Sequence, residues 1–121
     1  MLTGEIYPKV QGTNEAADGV VDKTVVAAQG AGTKLRIKKA IVTVTVAAVG
    51  GGGEVALEDG VGGTRFWEAD ADAVGSHPID FGEEGYDLTA NTLLNLTVDG
   101  AATTQATARC TAVCVVLGKV A

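Results

Sequence analysis

The sequence predicts an all-β domain, a sandwich or a barrel of about eight antiparallel strands, and three observations support this fold class. Ala, Gly, Val and Thr fill 67 of the 121 positions; Val and Thr favour strands, whereas Gly favours turns. Leu occurs eight times and Met once, which leaves few residues for long amphipathic helices. Short apolar segments recur between Gly-rich turns at the spacing typical of sandwiches and barrels.

The length of the chain suits a single domain. Its first eighteen residues are mixed and polar, with a short apolar segment around Ile6 and Val10. Pro8 restricts that segment to an edge strand or an extended arm. We therefore divide the chain into an N-terminal arm and loop over 1–18, with 11–15 as loop, and a β-sandwich over 19–121.

The first two firm strands are predicted over 19–28 and 33–49. In the longer one the apolar face changes sides between Ile37 and Val42. A period of two that changes face predicts a bulge or bend near residues 38–40. Such a bend would allow one strand to join both sheets at a corner of the sandwich.

The second half of the chain predicts shorter strands and one long final strand. The short strands are predicted over 54–58, 64–68, 78–81 and 93–98, with 69–78 as a loop. The final strand is predicted from about Thr103 to Leu117. Its end is apolar on both faces, as expected of a central strand or of one covered by a partner.

Charge is unevenly distributed along the chain. Residues 54–99 carry eleven acids and one base, and the remainder carries eight bases and four acids. The bases cluster at Lys34, Arg36, Lys38 and Lys39. This cluster is either a solvated strand edge, a phosphate-binding patch, or one half of a contact between basic and acidic regions of neighbouring subunits. Because the net charge is -6 and no aromatic residue lies near these bases, we do not expect a nucleic-acid partner.

No combination of residues predicts catalysis or a cofactor. Ser76 and His77 are adjacent, and adjacent side chains rarely converge in a catalytic triad. Asp70 and Asp72 resemble half of a calcium loop, but Val74 replaces the next oxygen ligand. A plain acidic loop is the simpler interpretation. The alternative is a hard cation held together with Asp70 and Asp72 by the acidic residues that follow them, Asp80, Glu83, Glu84 and Asp87. We expect no enzyme, no cofactor and no dedicated metal site.

The two cysteines are four residues apart on the final predicted strand. At that spacing Cys110 and Cys114 would share one face about 13 Å apart, too far for a disulfide. Buried free thiols are expected, which suits a reducing compartment. The chain also lacks the run of about 20 apolar residues that a membrane-spanning helix requires, and its start lacks the pattern of a secretory signal.

Five residues are candidates for contact with a partner. They comprise three residues of the predicted arm and the one adjacent aromatic pair: Ile6, Tyr7, Val10, Phe66 and Trp67. Neighbouring residues of a strand point to opposite faces, so one of the aromatic pair can be buried while the other is exposed as an anchor. The alternative is that both pack in the core or against a turn.

The order of segments from Thr33 onward resembles small virion proteins of tailed bacteriophages, over about 85 residues. The resemblance rests on the basic segment Lys34–Ala40, which leads into a Val/Thr/Ala strand, on Glu54–Gly60 after a Gly-rich turn, and on Leu93–Val98 before the Thr/Ala/Val strand at the C-terminus. It implies a jelly-roll-like sandwich. Such proteins commonly decorate capsids, often as trimers, and others form head fibres or tail components.

From this resemblance we expect a capsid decoration, or cement, protein that binds the outside of a phage shell and stabilises it. The expected partners are the major capsid protein and further copies of the chain, with a homotrimer favoured, on a virion assembled in the host cytoplasm. The arm, residues 1–10, would reach a neighbouring subunit by strand addition. The alternative is a receptor- or carbohydrate-binding module of a tail or head fibre, in which an exposed Trp67 would stack on the ligand.

Overall fold

The computed structural model describes residues 7–119, and this part of the chain has the predicted all-β fold. Nine strands form within it. They are β1 (Lys9–Ala16), β2 (Asp22–Val26), β3 (Lys34–Val46), β4 (Gly53–Asp59), β5 (Arg65–Asp70), β6 (Gly75–Asp80), β7 (Tyr86–Asp87), β8 (Leu94–Gly100) and β9 (Thr107–Leu117).

The strands form two antiparallel sheets with the strand order of a jelly roll. The large sheet has the order β1-β9-β3-β6, with the short β7 also paired to β3, and the small sheet has the order β2-β8-β4-β5. Both sheets thus alternate strands from the two halves of the chain, as two Greek keys require. The predicted jelly-roll-like sandwich is confirmed.

Strand β1 corrects the loop that the sequence predicted over 11–15. It pairs along its full length with β9, from Lys9 opposite Val115 to Ala16 opposite Ala108. The prediction was wrong because a glycine and an asparagine, Gly12 and Asn14, occupy inward positions of this strand. The segment therefore lacks the alternation of apolar and polar residues by which a half-buried strand is predicted. Residues 9–16 therefore belong to the large sheet, whereas residues 1–6, which include Ile6 and most of the predicted arm, lie outside the described residues.

Strand β3 has the predicted bulge but not the predicted change of sheet. Its register with β9 shifts between Ile37 and Lys39. The extra residue, Lys38, donates from Nζ to the carbonyl oxygen of Glu83. All partners of β3 belong to the large sheet, so the bulge changes which side chains face outward without carrying the strand across the sandwich.

Strand β6 begins inside the predicted loop over 69–78 and takes up its last four residues, 75–78, while β5 takes up its first two. It pairs with β3, with Ile41 opposite Pro78. Proline is accommodated here because β6 is an edge strand, where no further strand needs its missing N–H. The loop prediction gave too much weight to this proline and to Gly75.

The core lies between the two sheets and is built from small and medium apolar side chains. Its largest members are fully buried leucines and one isoleucine: Leu35, Ile37, Leu57, Leu88, Leu94 and Leu96. The two sheets approach closely where β1 meets β2, because a Cβ on Gly12 would overlap the carbonyl oxygen of Val25. Asn14 Nδ2 donates to the carbonyl oxygen of Thr24, 2.9 Å away, across the same seam.

Candidate functional site

The outward side of the large sheet is the most extensive candidate surface, and strand register defines it. Residues paired across neighbouring strands project to the same side of a sheet. We call the outward set the large-sheet face. Each row of this face crosses the sheet from β1 through β9 and β3 to β7 or β6. The four rows are Lys9, Val115, Arg36 and Asp87; Gln11, Val113, Lys39 and Asp80; Thr13, Thr111, Ile41 and Pro78; and Glu15, Arg109, Thr43 and Ser76. Lys34 and Leu117 lie at one end of the face, and Val46 and Thr107 lie at the other.

Apolar side chains lie uncovered in the middle and at one end of the large-sheet face. Ile41 is 52% exposed and Val46 is 57% exposed, and Pro78 beside Ile41 is also exposed. An open groove of about 420 Å³ passes between Ile41, Pro78, Val113 and Lys39. Exposed apolar surface rimmed by charge is typical of a protein contact, so this face is suited to packing against another protein.

The large-sheet face is also basic. Lys9, Lys34 and Lys39 make no ion pair with any residue from 7 to 119. Arg36 is paired, since its Nε lies 2.6 Å from Asp87 Oδ1. The hydrogen bond from Arg36 lowers the pKa of Asp87, and burial opposes this effect. Asp80 lies opposite Lys39 in the same groove, but the face carries five basic and three acidic side chains and so keeps a net positive charge beside the apolar groove.

The outward side of the small sheet has the opposite character. We call this set the small-sheet face; its rows are Thr24, Asn95, Glu58 and Arg65; Asp22, Thr97, Ala56 and Glu68; and Asp99, Glu54 and Asp70. It therefore carries six carboxylates and one guanidinium. The segregation of charge along the sequence thus becomes a segregation between opposite faces of the sandwich.

Arg65 is the one basic residue of the small-sheet face, and it pairs with four of the carboxylates there. Its guanidinium lies 3.2 Å from Glu58, 3.4 Å from Glu68 and 3.5 Å from Glu54, and it also pairs with Asp99. The hydrogen bond to Asp99 is the largest of the effects that raise the pKa of Arg65, with burial opposing. One cation thus serves four acids, and the face keeps surplus negative charge.

Glu58 is the buried member of this cluster. Its side chain is 7% exposed. It accepts hydrogen bonds from the backbone N–H of Gly62 at 3.2 Å and from Asn95 Nδ2 at 2.9 Å. A buried carboxylate requires such hydrogen bonds and ion pairs. The cluster around Arg65 therefore contributes to the stability of the fold as well as to the charge of the surface.

The aromatic pair predicted as a contact anchor packs inward. The register of β5 with β4 shifts next to Phe66, and this irregularity lets Phe66 and Trp67 both pack against the core. Phe66 stacks on Tyr86 with ring centroids 4.3 Å apart, and Trp67 makes an edge contact with His77 at 5.6 Å. Both side chains therefore pack against the core and stay half-buried, and their role as contact residues stays a prediction.

The remaining predicted contact residues are dispersed. Val10 is half-buried against the core, and Tyr7 is half-buried at the start of the described chain. Neither belongs to the outward rows of the large sheet. Their role as contact residues, like that of Ile6, stays a prediction.

The residues considered for catalysis or metal binding have structural partners. Ser76 Oγ lies 3.1 Å from Thr43 Oγ1 on the outward side of the sheet, whereas His77 points inward to Trp67. Asp72 accepts hydrogen bonds from the backbone N–H groups of Gly52 and Gly53, at 2.9 and 2.8 Å. Within residues 7–119, no group of three or more His, Cys, Asp or Glu side chains is placed to hold a metal ion.

The two cysteines are free and buried, as predicted. Burial raises the pKa of both thiols to about 12. They line the inward side of β9 and pack as small apolar residues.

We expect both thiols of the native protein to be nearly inert to a disulfide reagent at pH 8, since the thiolate is the reactive form. Their rate of reaction should be roughly 100-fold or more below the rate in denaturant. Absorbance of the released thiolate, followed with and without guanidinium, measures this ratio. Rapid labelling of two thiols in the folded protein would contradict the burial of Cys110 and Cys114.

Sequence reasoning missed the groove residues Ile41, Pro78 and Val113. A signal for them was present, since the last strand is apolar on both faces beyond residue 112. The outward side of that end is the apolar part of the large-sheet face, and the inward side is core. Sequence reasoning did not identify which strands flank it, because that depends on the order of strands in the sheet.

No family model matches the sequence, and no curated protein matches it. Solved structures do match. A chain of Sulfolobus turreted icosahedral virus aligns at 18% identity with a TM-score of 0.51, covering 94% of this chain and 30% of that one. A chain of an archaeal virus described for its triple jelly-roll fold and turret assembly gives the same identity and TM-score, covering 93% and 30%. This chain thus spans under a third of either viral chain.

A chain from the disulfide-linked pili of Bacillus endospore appendages aligns at 11% identity, covering 93% of this chain and 89% of that one, with a TM-score of 0.49. The two viral matches show that the fold is a jelly roll. No helix in the described part of the chain is long and apolar enough to cross a membrane.

Proposed function

We propose that this chain is a structural virion protein that acts by packing against other proteins, and that it decorates the outside of a bacteriophage capsid and stabilises the shell. The observation that carries the proposal is the large-sheet face, where exposed apolar side chains lie beside lysines that form no ion pair within residues 7–119. A face that combines apolar and charged side chains in this way is suited to a protein contact.

The fold supports this proposal without establishing it. Jelly rolls serve in viral capsids, in lectins and in other proteins, so function must be argued from the surface. The alternative, a carbohydrate-binding module, relied on an exposed Trp67. Trp67 is half-buried, packs against the core and makes an edge contact with His77, so the fully exposed ring on which that alternative relied is not found, and no other observation favours it.

The finer features belong to the same proposal. The major capsid protein is the proposed partner on the shell, and the chain is proposed to act as a homo-oligomer, with a trimer as the expected order. Small side chains dominate the core, so each subunit contributes modest stability alone. Multivalent attachment converts weak single contacts into strong overall binding. Strand addition by the arm, residues 1–10, remains part of the proposal, although Lys9 and Val10 already pair with β9 of the same chain.

The copy number of the chain in native particles tests this function. Particles from the source lysate are banded on a density gradient, and the chain is quantified against the major shell protein. We expect a ratio near one per shell subunit, or a simple fraction of it. A handful of copies per particle, or none, would contradict decoration of the lattice.

A further inference from the structure

The two outward faces of the sandwich are complementary in charge. The large-sheet face carries five basic and three acidic side chains, for a net charge of +2, and the small-sheet face carries one basic and six acidic side chains, for a net charge of -5. Complementary patches of this kind steer association and set the register of a contact.

The charged groups on both faces are accessible. Lys39 is exposed beside the apolar groove. On the opposite face the side chain of Glu68 is 58% exposed and that of Glu54 is 47% exposed. Because the single positive charge of Arg65 is shared among four carboxylates, their negative charge is only partly neutralised. A lysine of another molecule would therefore be attracted to them.

Each face also offers apolar surface to the other. The acidic face contains a groove of about 590 Å³ whose lining includes Val61, Asp22 and Asp99, and Val61 is 61% exposed. On the basic face, Ile41 and Pro78 lie next to Lys39. A contact between the two faces would therefore bury apolar side chains within a charged rim, as protein interfaces do.

We propose that the large-sheet face of one copy docks on the small-sheet face of the next copy, with Lys39 and its neighbours meeting Glu54 and Glu68. The choice of a second copy as occupant rests on the proposed function, in which many copies share one particle, and on the presence of both complementary faces in one chain. The contact is heterologous and, because the faces point in opposite directions, it repeats openly from copy to copy. It is therefore separate from the contact that closes the proposed trimer.

Charge reversal on either face tests the contact by sedimentation velocity of the full chain. At low ionic strength we expect the unmodified protein to associate beyond any smaller oligomer, and to lose this association at about 0.5 M salt. Lys39→Glu and Glu68→Lys should each raise the apparent Kd at least roughly 10-fold. If Glu68→Lys lowers stability, the neutral Glu68→Gln replaces it.

Mixing the two variants is the decisive step. The Lys39→Glu chain keeps an intact acidic face and the Glu68→Lys chain keeps an intact basic face, so an equimolar mixture should regain association that neither variant shows alone. Lys119→Glu and Asp18→Lys are the controls, because they change the net charge by the same amounts at exposed positions outside both faces, and they should associate normally.

Three outcomes would overturn the proposal. In the first, the unmodified protein shows no association that depends on salt. In the second, Lys39→Glu weakens association but mixing does not restore it, as in a symmetric contact between two basic faces. In the third, the control variants weaken association as much as the face variants. Each concerns this contact alone, whereas the copy number in particles decides the proposed function separately.

Discussion

Gly12→Ala is expected to lower the free energy of unfolding by about 3 kcal/mol or more, because the new methyl group has no space. A Cβ at Gly12 would overlap the carbonyl oxygen of Val25. The obstacle is backbone, so no rotamer change relieves it, and β1 and β2 would have to separate along the seam that closes the sandwich. Urea unfolding monitored by tryptophan fluorescence measures the loss.

Gly75→Ala is the matched control for this substitution. Gly75 also lies on the inward side of the large sheet, and a Cβ there meets no atom within 4 Å. Its effect should stay within about 0.5 kcal/mol. Equal losses for the two variants would show that strand glycines matter here for a reason other than the close approach of β1 and β2.

Arg65→Met should have the second large effect, a loss of about 2 kcal/mol of stability. Met keeps much of the apolar stem but removes the positive charge that compensates Glu54, Glu58, Glu68 and Asp99. Glu58 is then a buried carboxylate without its cation. Because Arg65 itself is 28% exposed, water offsets part of the loss, and we expect less than a fully buried pair would cost.

Arg109→Met provides the comparison on the other face. Arg109 and Glu15 are both more than half exposed and 4.0 Å apart, and such surface pairs contribute at most about 1 kcal/mol. The double variant Arg65→Met with Glu58→Gln should recover part of the loss, since the buried charge is also removed. If Arg65→Met costs no more than Arg109→Met, the cluster is ordinary surface charge.

The fold class could be predicted because it depends on local properties of the chain. Strands β4 and β8 follow directly from runs of alternating or continuous apolar residues between glycine turns. The bulge in β3 could also be predicted, since an inserted residue changes the phase of an alternating pattern. Strand β1 could not, because its inward positions include Gly12 and Asn14, whose roles depend on what β2 presents to them.

The candidate surface was only partly predictable for the same reason. Two features of this surface can be seen in the sequence: the segregation of charge along the chain, and the end of β9 that is apolar on both faces. The assembly of Lys39, Ile41, Pro78 and Val113 into one outward surface depends on the position of β3 between β9 and β6. The inward packing of Phe66 and Trp67 depends on an irregularity in β5 that no local pattern marks.

An all-β domain with buried thiols and unevenly distributed charge could be predicted from the chain alone, because composition, spacing and alternation act over a few residues at a time. Which strands are neighbours, and therefore which side chains share a face, became known only from the folded molecule. The reason is physical: register and sheet order are set by contacts between residues far apart in the chain, such as Glu15 beside Arg109. Those long-range contacts place the basic and acidic regions on opposite sides of the sandwich.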